Sequence, residues 1–497
     1  MAAPPSRPPQ DPGAEPSPGV GISARRLTVG SSTQLVARLA CAVLGGLVAA
    51  ILARSLGPNR FGVYALIASF ATMGQSMADA GTTQVGVREI SAHLDRRGRI
   101  VASLIVVQSI GGLVTMAAFG VIGVAVTSGT EAHVATLLFL ATLPLGGLSQ
   151  RQTIVGARLR PELATLLLVF QSVVWLGAVA AVASLHGSLI LYAAAFDAAS
   201  VVQIAVMWWV TRTLVTVAWR EWRRDARALL TQGLPLGVAG LFVLAYYKLD
   251  GILLFWLKGA AANGTYSAAY RFLDVLQFIP VTLSALLLPL ASRLAADGRR
   301  RAALHATVQM ALKLMLAVAA PIAIGGIVFA RPIVALIYGA GFAPAAGLLA
   351  VLLLAFPLIC LGYIFGGLAI VLRMTRQYLV VTAVGAVGNV AANLVLIPRF
   401  GGAAAAWTTV VTELVVNGTM GVLVLRRLGI RPPFGPWARI LVASGAASFI
   451  AWRLLPYGTV PALGALVAGC AVLGVATRAV TGRDLRVLLD RREVVSG

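Results

Sequence analysis

Charged side chains inside long apolar stretches are the residues of this sequence best suited to do chemistry. Arg38, Lys248 and Arg271 are cations that could bind an anionic group. Four acids lie in similar stretches and could serve in charge pairing or ion coupling: Asp197, Asp250, Asp274 and Glu413. A charge at the centre of a membrane-spanning helix costs ~2.5–3.5 kcal/mol, so it normally faces a cavity or a partner. These residue types predict a passage for an anionic substrate.

The acids leave two interpretations open for some of the cations. Arg271 and Asp274 are three positions apart, so within one helix they could simply neutralise each other. Arg38 has no acidic residue within four positions, which favours a functional reason for its charge.

Catalytic and nucleotide-binding signatures are absent from the sequence. The three lysines all lack the following serine or threonine of a phosphate-binding Walker A loop. The four histidines are scattered, and the three cysteines do not have the spacing of metal ligands. We therefore expect no enzyme activity, no cofactor and no metal.

The apolar composition defines the elements that must position these residues. Hydrophobic residues make up 59% of the 497 positions and charged residues only 11%, unlike a soluble protein. Runs of about 20 apolar residues recur, each long enough to cross a membrane. The sequence predicts an all-α membrane protein with about 14 transmembrane helices, at 31–54, 61–83, 101–127, 133–149, 163–185, 189–210, 230–256, 264–289, 306–329, 345–370, 378–398, 402–425, 437–455 and 460–480.

The arginines predict the orientation in the membrane. Counted from a cytoplasmic N-terminus, they concentrate in the inside segments near 88–99, 151–160, 220–227, 293–301 and 426–431. This alternation follows the positive-inside rule and predicts a multi-pass protein of the cytoplasmic membrane with both termini in the cytoplasm. The net charge of +23 is spread over these loops rather than over one soluble module, so nucleic acid is not an expected partner.

This orientation places the cations at different depths. Arg38 falls in the inner half of the membrane, and Lys248 and Arg271 fall in the outer half. Arg54 and Arg60, a closely spaced basic pair in an outside loop, would stand at the exit mouth.

A short pattern, Gly-x4-Gly-x-Tyr, occurs at 57–64 and again 202 positions later at 259–266. Six predicted helices separate the copies, and an even number of crossings preserves orientation. The halves should therefore be two six-helix lobes related by a pseudo-two-fold axis along the membrane normal. The glycines predict tight turns at the outer face, and we expect the tyrosine hydroxyls to point toward water there.

The expected organisation has six parts. They are a disordered, proline-rich cytoplasmic tail (1–28), an N-terminal lobe (29–210), a cytoplasmic interfacial linker (211–229), a C-terminal lobe (230–425), two further helices (437–480) and a cytoplasmic tail (481–497).

Several longer segments resemble one family, over about residues 30–430. They are ARSLGPNRFGVYALIASF, ADAGTTQVGVREISAH, LTQGLPLGVAGLFVLAYYKLDGILL, GTYSAAYRFLDVLQFIP with LLPLASRL, IYGAGFAPAAGLL and GNVAANLVLIPRFGGAAAAW. The chain is similar to polysaccharide flippases of the Wzx type, in the multidrug/oligosaccharidyl-lipid/polysaccharide (MOP) exporter superfamily.

The resemblance implies two six-helix lobes around a central cavity, with two C-terminal helices. It also implies translocation of a polyprenyl-pyrophosphate-linked oligosaccharide from the inner to the outer leaflet, alongside glycosyltransferases and a polysaccharide polymerase as partners. Cationic cavity residues of the first and eighth helices in related flippases would correspond to Arg38 and Arg271, with Lys248 as a third.

Three alternatives stay open at this stage. A lipid II flippase would share the same features, and a multidrug or cation exporter of the superfamily would use the acids in the spans. A membrane polysaccharide polymerase or ligase would usually carry a larger extracytoplasmic loop, and the sequence has none.

Overall fold

The computed structural model describes residues 24–157, 161–296 and 300–476. Within these ranges the regular elements are helices, which confirms the predicted all-α fold. Of the predicted tails, residues 1–23 and 481–497 lie outside the described residues, as do Arg158 and Arg160 of one predicted inside loop.

The first half of the described chain contains eight α-helices. They are α1 (Ala24–Asp79), α2 (Thr82–Ala92), α3 (Arg97–Val126), α4 (Thr130–Leu140), α5 (Thr142–Leu145), α6 (Gln152–Ala157), α7 (Pro161–Ser184) and α8 (Leu189–Thr211).

The second half contains ten more. They are α9 (Trp222–Lys258), α10 (Ala260–Leu276), α11 (Phe278–Ala296), α12 (Arg301–Val328), α13 (Ala330–Tyr338), α14 (Ala345–Val371), α15 (Thr375–Phe400), α16 (Gly402–Leu428), α17 (Phe434–Leu454) and α18 (Thr459–Ala476).

By length and composition, eleven helical segments of the described chain could cross a membrane, or twelve if the bent α9 counts as one span. Each predicted span overlaps a helix of the structure. Two features explain why the structure has fewer spans than the fourteen predicted. The first two predicted spans are the arms of α1, which is interrupted by the non-helical Gly57 and is counted once as Ala37–Asp79. The last predicted span is the shorter apolar helix Thr459–Gly474.

Some spans are interrupted where the sequence analysis expected continuous helices. The fourth is divided into α4, α5, a 3-10 turn at Gly146–Arg151 and α6, because Pro144 and the following glycines weaken a continuous helix. α9 bends by 54° between Phe242 and Tyr247. α13 was not predicted and lies between the predicted spans 306–329 and 345–370.

The turns of the bundle differ between its two ends. At one end, called here the glycine-turn end, six turns contain a glycine with positive φ: Gly57, Gly129, Gly259, Gly339, Gly401 and Gly458. The other end carries the arginine-containing connections near 88–99, 212–227 and 426–431 and is called the arginine-rich end.

The two copies of the repeated pattern meet at the glycine-turn end. A Cβ atom on Gly62 would lie 1.8 Å from the Ala260 carbonyl oxygen, and one on Gly264 would lie 1.9 Å from the Pro58 carbonyl oxygen. Ala260 is the repeat equivalent of Pro58, and Gly264 is the repeat equivalent of Gly62. The two contacts are therefore the same contact made once from each copy of the repeat. The Asn263 side-chain amide also donates to the Gly62 carbonyl at 2.8 Å. The repeat is therefore a pair of equivalent corners packed backbone to backbone.

The expected position of the second tyrosine is wrong. Tyr266 is buried, and its hydroxyl donates to Asp250 instead of pointing toward external water. It follows Asn263 by three residues, so it lies on the helix face that packs inward. Tyr64, the equivalent in the first copy, lines an internal cavity.

α9 connects the two halves at the arginine-rich end. The Arg99 guanidinium pairs with Asp225, and Arg88 donates to Gln232, so the first part of α9 is held against α2 and α3. α9 also packs against α10 and α15.

Candidate functional site

A small cavity of about 140 Å³ lies just inside the glycine contact. Both arms of α1, the second part of α9 and the middle and end of α10 form its walls, and we call it the inner chamber. Lys248 and Asp250 reach it from α9, and Arg271 and Asp274 reach it from α10. The structure thus brings together four of the predicted site residues.

Three of these four form one charge cluster. Asp274 Oδ2 lies 3.5 Å from Lys248 Nζ and 3.7 Å from Arg271 Nη1. Lys248 Nζ also lies 5.6 Å from the centre of the Tyr270 ring. Two cations therefore share one carboxylate, and the Arg271 side chain remains 42% exposed. A guanidinium has five N–H donors, so Arg271 can bind an anion without leaving Asp274.

Asp250 is held separately at the back of the inner chamber. It accepts hydrogen bonds from the Tyr266 hydroxyl and from the backbone N–H of Gly251, the latter at 2.7 Å. The Thr409 hydroxyl lies 3.5 Å from the same carboxylate. Its oxygens are thus positioned by three donors from α9, α10 and α16.

Arg271 also lines two further spaces. One is a cavity of about 1050 Å³, the wide chamber, which extends from Tyr64 to Gln84 and Gln152 near the arginine-rich end. The other is a groove of about 470 Å³ between α1, α10 and α13. Arg271 is therefore located where three spaces of different character adjoin.

The wide chamber is lined mainly by uncharged polar groups and aromatic rings. Six glutamines contribute to it: Gln75, Gln84, Gln150, Gln152, Gln171 and Gln203. Its aromatic lining includes Tyr64, Phe139, Trp175, Phe196 and Tyr247. Amides both donate and accept hydrogen bonds, as hydroxyl-rich ligands require. These glutamines were not predicted as site residues, because the prediction rested on charged residues, although glutamines within apolar spans were a visible signal.

The groove is apolar along most of its length. Val43, Leu47 and Ile51 line it from α1, and Phe272 faces it from α10. The charged groups at its edge are Arg271 and Arg54. It can therefore accept a hydrocarbon chain beside a cation.

Arg38 does not line any of these three spaces. Its side chain is exposed on α1, and it makes no ion pair with a described residue. It lies two helical turns from Gly45, whose Cβ position is 3.8 Å from Arg271 Nη2. A seven-residue separation on a helix keeps Arg38 on the same face, about 10 Å further toward the arginine-rich end.

Two predicted acids do not line the inner chamber. Asp197 is on α8, and within the described chain its Oδ1 atom is shielded from solvent without a hydrogen-bond partner. Glu413 is buried on α16 and accepts a hydrogen bond from the Asn417 amide. It also contacts Tyr247, so it lies one layer behind the chamber wall.

The two arginines predicted at the exit mouth are engaged at the glycine-turn end. Arg54 Nε donates to the Ile337 carbonyl at 2.9 Å, and its Nη2 donates to Leu336, both at the end of α13. Arg60 Nη2 lies 3.2 Å from Glu131 Oε2 and forms an ion pair with it. Arg54 therefore ties α1 to α13 across the glycine-turn end.

Comparisons with known proteins agree with this architecture. The family model for polysaccharide biosynthesis proteins matches residues 27–295, which is more than half of the chain. No curated protein matches the sequence.

Solved structures share the fold at low sequence identity. A structure of the lipid II flippase MurJ in an inward closed conformation has a TM-score of 0.75 at 12% identity, covering 91% of this chain and 99% of that one. An inward-facing multidrug resistance MATE transporter of the MOP superfamily has a TM-score of 0.63 at 14% identity, covering 80% and 98%. A MOP superfamily transporter from Pyrococcus furiosus, described by the reversed polarity of its binding pocket, has a TM-score of 0.55 at 14% identity, covering 80% and 95%.

The family match extends through both copies of the glycine pattern and through the charge cluster on α9 and α10. The structural matches cover four-fifths or more of the chain. The protein is a member of the polysaccharide biosynthesis protein family, and it shares its fold with the lipid II flippase MurJ and with MATE transporters.

Proposed function

We propose that this protein is a flippase that moves a polyprenyl-pyrophosphate-linked oligosaccharide from the inner to the outer leaflet of the cytoplasmic membrane. The observation that carries the proposal is the position of Arg271 between the inner chamber, the wide chamber and the apolar groove. A lipid-linked oligosaccharide has the same three parts, namely a diphosphate, a glycan and a hydrocarbon tail. Each part has a space of suitable chemistry beside this one residue.

The diphosphate is the most costly part to remove from water, because it is charged. Arg271 offers several N–H donors in one plane, and Lys248 adds a second cation. Their shared partner, Asp274, leaves the cluster with one net positive charge. We assign diphosphate binding to Arg271 and Lys248.

The glycan would occupy the wide chamber. Its glutamines can exchange hydrogen bonds with sugar hydroxyls, and its aromatic rings offer flat apolar faces. The hydrocarbon tail would extend along the groove between α1 and α10. The tail then stays in an apolar environment while the head group moves.

The arginine distribution supports a direction for this movement. With the arginine-rich end in the cytoplasm, Arg38 would meet the diphosphate first, and Arg271 would receive it about two helical turns further on. Arg54 and Arg60 would then flank the exit at the glycine-turn end. Separation of the two glycine corners would open that exit, as in rocking-lobe transporters.

Asp250 is the best-placed group for ion coupling. With both acids ionised, the inner chamber has two cations and two carboxylates, so its formal charge is zero. A proton or a cation bound at Asp250 would add one positive charge beside Arg271. Binding at Asp250 would therefore favour binding of the anionic diphosphate, and release of one would favour release of the other. Asp274 is assigned to charge pairing, because it contacts both cations.

Reconstituted vesicles provide the test. Vesicles with this protein should move a fluorescent polyprenyl-diphosphate oligosaccharide between leaflets, as measured by protection from a reagent that cannot cross the membrane. Lipid II and a cationic drug should be moved at least about tenfold more slowly. A tenfold difference corresponds to ~1.4 kcal/mol of free energy between the preferred and the rejected substrate. Preferential movement of lipid II would identify a cell-wall flippase instead, and preferential movement of the drug would identify an exporter.

In a cell, enzymes of two kinds would act on either side of this step. Glycosyltransferases would build the cargo on the inner leaflet, and a polysaccharide polymerase would consume it on the outer leaflet.

A further inference from the structure

A separate cavity lies far from the charge cluster, at the arginine-rich end between α14, α16 and the start of α17. It measures about 400 Å³. Leu361 and Phe365 of α14, Gly421 and Leu425 of α16 and Trp437 of α17 line it. Its walls are almost entirely apolar, and neither chamber nor groove shares its lining.

The cavity exists because of how α16 ends. Gly429 adopts a left-handed conformation with φ 70°, and the Ile430 N–H bonds back to the Leu425 carbonyl at 3.0 Å. This turn reverses the chain, so Ile430 is buried against the bundle. Two prolines follow, and α17 begins at Phe434. The connection from α16 to α17 thus folds over one side of the cavity.

A glycine on α16 keeps part of this space free. A side chain at Gly418 would meet no heavy atom within 4 Å. Gly418 nevertheless lines the cavity, so the volume there is open rather than filled by a neighbour. This position allows the cavity to be filled by substitution without a clash.

The mouth of the cavity is strongly basic. Arg426 lines it, and Arg427, Arg431 and Arg439 follow within one short stretch. The sequence has no acidic residue between Glu413 and Asp484. These arginines make no salt bridge with any residue that the structure describes. The local positive charge therefore lacks a protein counter-ion in the described chain.

Trp437 provides a second indication of a ligand site. Its indole N–H is shielded from solvent and has no hydrogen-bond partner among the described residues. A buried donor left unpaired costs free energy. Its ring lies 5.9 Å from that of Phe434 in an edge-to-face arrangement, as aromatic residues at a membrane interface often do. An acceptor oxygen from a lipid head group would satisfy this donor.

We propose that this cavity is a binding site for an anionic glycerophospholipid of the bilayer. One acyl chain fills the apolar space, the phosphodiester pairs with Arg426, and a head-group oxygen accepts the Trp437 N–H. Basic pockets between transmembrane helices at the cytoplasmic side are suited to such head groups. The site holds a lipid of the surrounding membrane and is distinct from the path proposed for the cargo.

Native mass spectrometry of the purified full-length protein tests this proposal. The protein is stripped of lipid by detergent and then offered phosphatidylglycerol or phosphatidylcholine at equal concentration. We expect one phosphatidylglycerol to be retained at least about tenfold more tightly than phosphatidylcholine. Arg426→Gln should remove this preference, and Gly418→Leu should prevent retention of either lipid.

Two control variants make the result specific. Arg427→Gln removes the same charge from the next residue, which does not line the cavity, and should keep the preference. Gly388→Leu adds the same side chain at a glycine of α15 that also has no neighbour within 4 Å, and should keep retention.

Several results would overturn the proposal. They are equal retention of the two phospholipids by the unmodified protein, equal losses in Arg426→Gln and Arg427→Gln, and unchanged retention in Gly418→Leu. Displacement of the bound phospholipid by a polyprenyl diphosphate at equal concentration would show instead that the cavity belongs to the cargo.

Discussion

The two ends of the bundle are held together by different kinds of contact. At the glycine-turn end, Gly62 and Gly264 press backbone against backbone, with no side chain between them. At the arginine-rich end, long side chains such as Arg99 reach across to Asp225 on α9. A backbone contact is either made or broken, because it has no flexible part. A contact through long side chains can stretch or change partners as helices move.

This difference suggests a division of labour. A gate must close completely, and the glycine corners provide a surface with no room even for a methyl group. The attachment of α9 must hold while the helices tilt, and the bend between Phe242 and Tyr247 lies just beyond it. We therefore expect substitutions at the glycine corners to affect translocation far more than substitutions at the arginine-rich contacts.

The largest effect is expected for Gly62→Ala and Gly264→Ala. The added Cβ would overlap a backbone oxygen, and a clash of this kind costs ~3 kcal/mol or more, so the closed gate should become about 100-fold less populated. Translocation should fall accordingly. A cysteine at Ser69, which lines the inner chamber, should become reactive to a thiol reagent from the glycine-turn side.

Gly347→Ala is the matched control for this prediction. Gly347 lies on α14 near the same end and has no atom within 4 Å of its Cβ position. Its variant should translocate normally. Normal translocation by Gly62→Ala would mean that the corners need not close.

The next effect concerns the cations between the two ends. Arg271→Gln should reduce translocation about 10- to 100-fold, because charged hydrogen bonds contribute ~1.5–3 kcal/mol. Arg271→Lys should recover part of the loss, since one ammonium replaces a multidentate donor. Arg38→Ala should reduce translocation by a similar factor at matched protein levels, and Lys248→Gln should have a milder effect.

Arg399→Gln is the control variant, because it removes the same positive charge from an exposed residue at the end of α15. It should leave transport unchanged. If Arg271→Gln transported as well as Arg399→Gln, the diphosphate site would have to be elsewhere.

A smaller effect is expected for Arg54→Gln at the glycine-turn end. It removes two hydrogen bonds to the end of α13. Because the side chain is exposed, we expect the closed gate to lose about 1 kcal/mol of stability. Labelling of Ser69→Cys should then rise roughly fivefold. Arg54→Lys should be intermediate. Unchanged labelling in Arg54→Gln would show that α13 is not part of the gate.

The smallest effect is expected for Asp225→Asn at the arginine-rich end. A partly exposed ion pair contributes about 1 kcal/mol or less, and Glu221 lies 3.6 Å from Arg99 as a second partner. Translocation should change by no more than about threefold. A loss as large as that of Gly62→Ala would remove the contrast between the two ends.

Much of the fold was predictable because membrane-spanning helices carry their own signal. Apolar runs gave the spans, and the 202-residue repeat indicated the two lobes. The bends were harder to predict, because Gly and Pro occur in many helices of this chain without breaking them, as Pro321 does within α12. α13 was missed because nine residues are too few to distinguish a helix from a loop.

The site was predictable in its charges but not in its geometry. The cluster of Lys248, Arg271 and Asp274 joins two helices, and sequence spacing could suggest only the pair within α10. Tyr266 shows the same limit, because its partner Asp250 is 16 residues away on a different helix. The hydrogen bonds from Arg54 to the end of α13 could not be predicted, because α13 itself was not predicted.

A reversible crosslink between the two glycine corners tests the central claim most directly. Phe61 and Asn263 are equivalent positions of the repeat, and each adjoins a contact glycine. Cysteines at both positions, in a background without Cys41, Cys360 and Cys470, should support translocation of a polyprenyl-diphosphate oligosaccharide before crosslinking. A short crosslinker should stop translocation, a long one should spare it, and reduction of the short one should restore it. Full translocation with the short crosslink quantitatively formed would contradict the account.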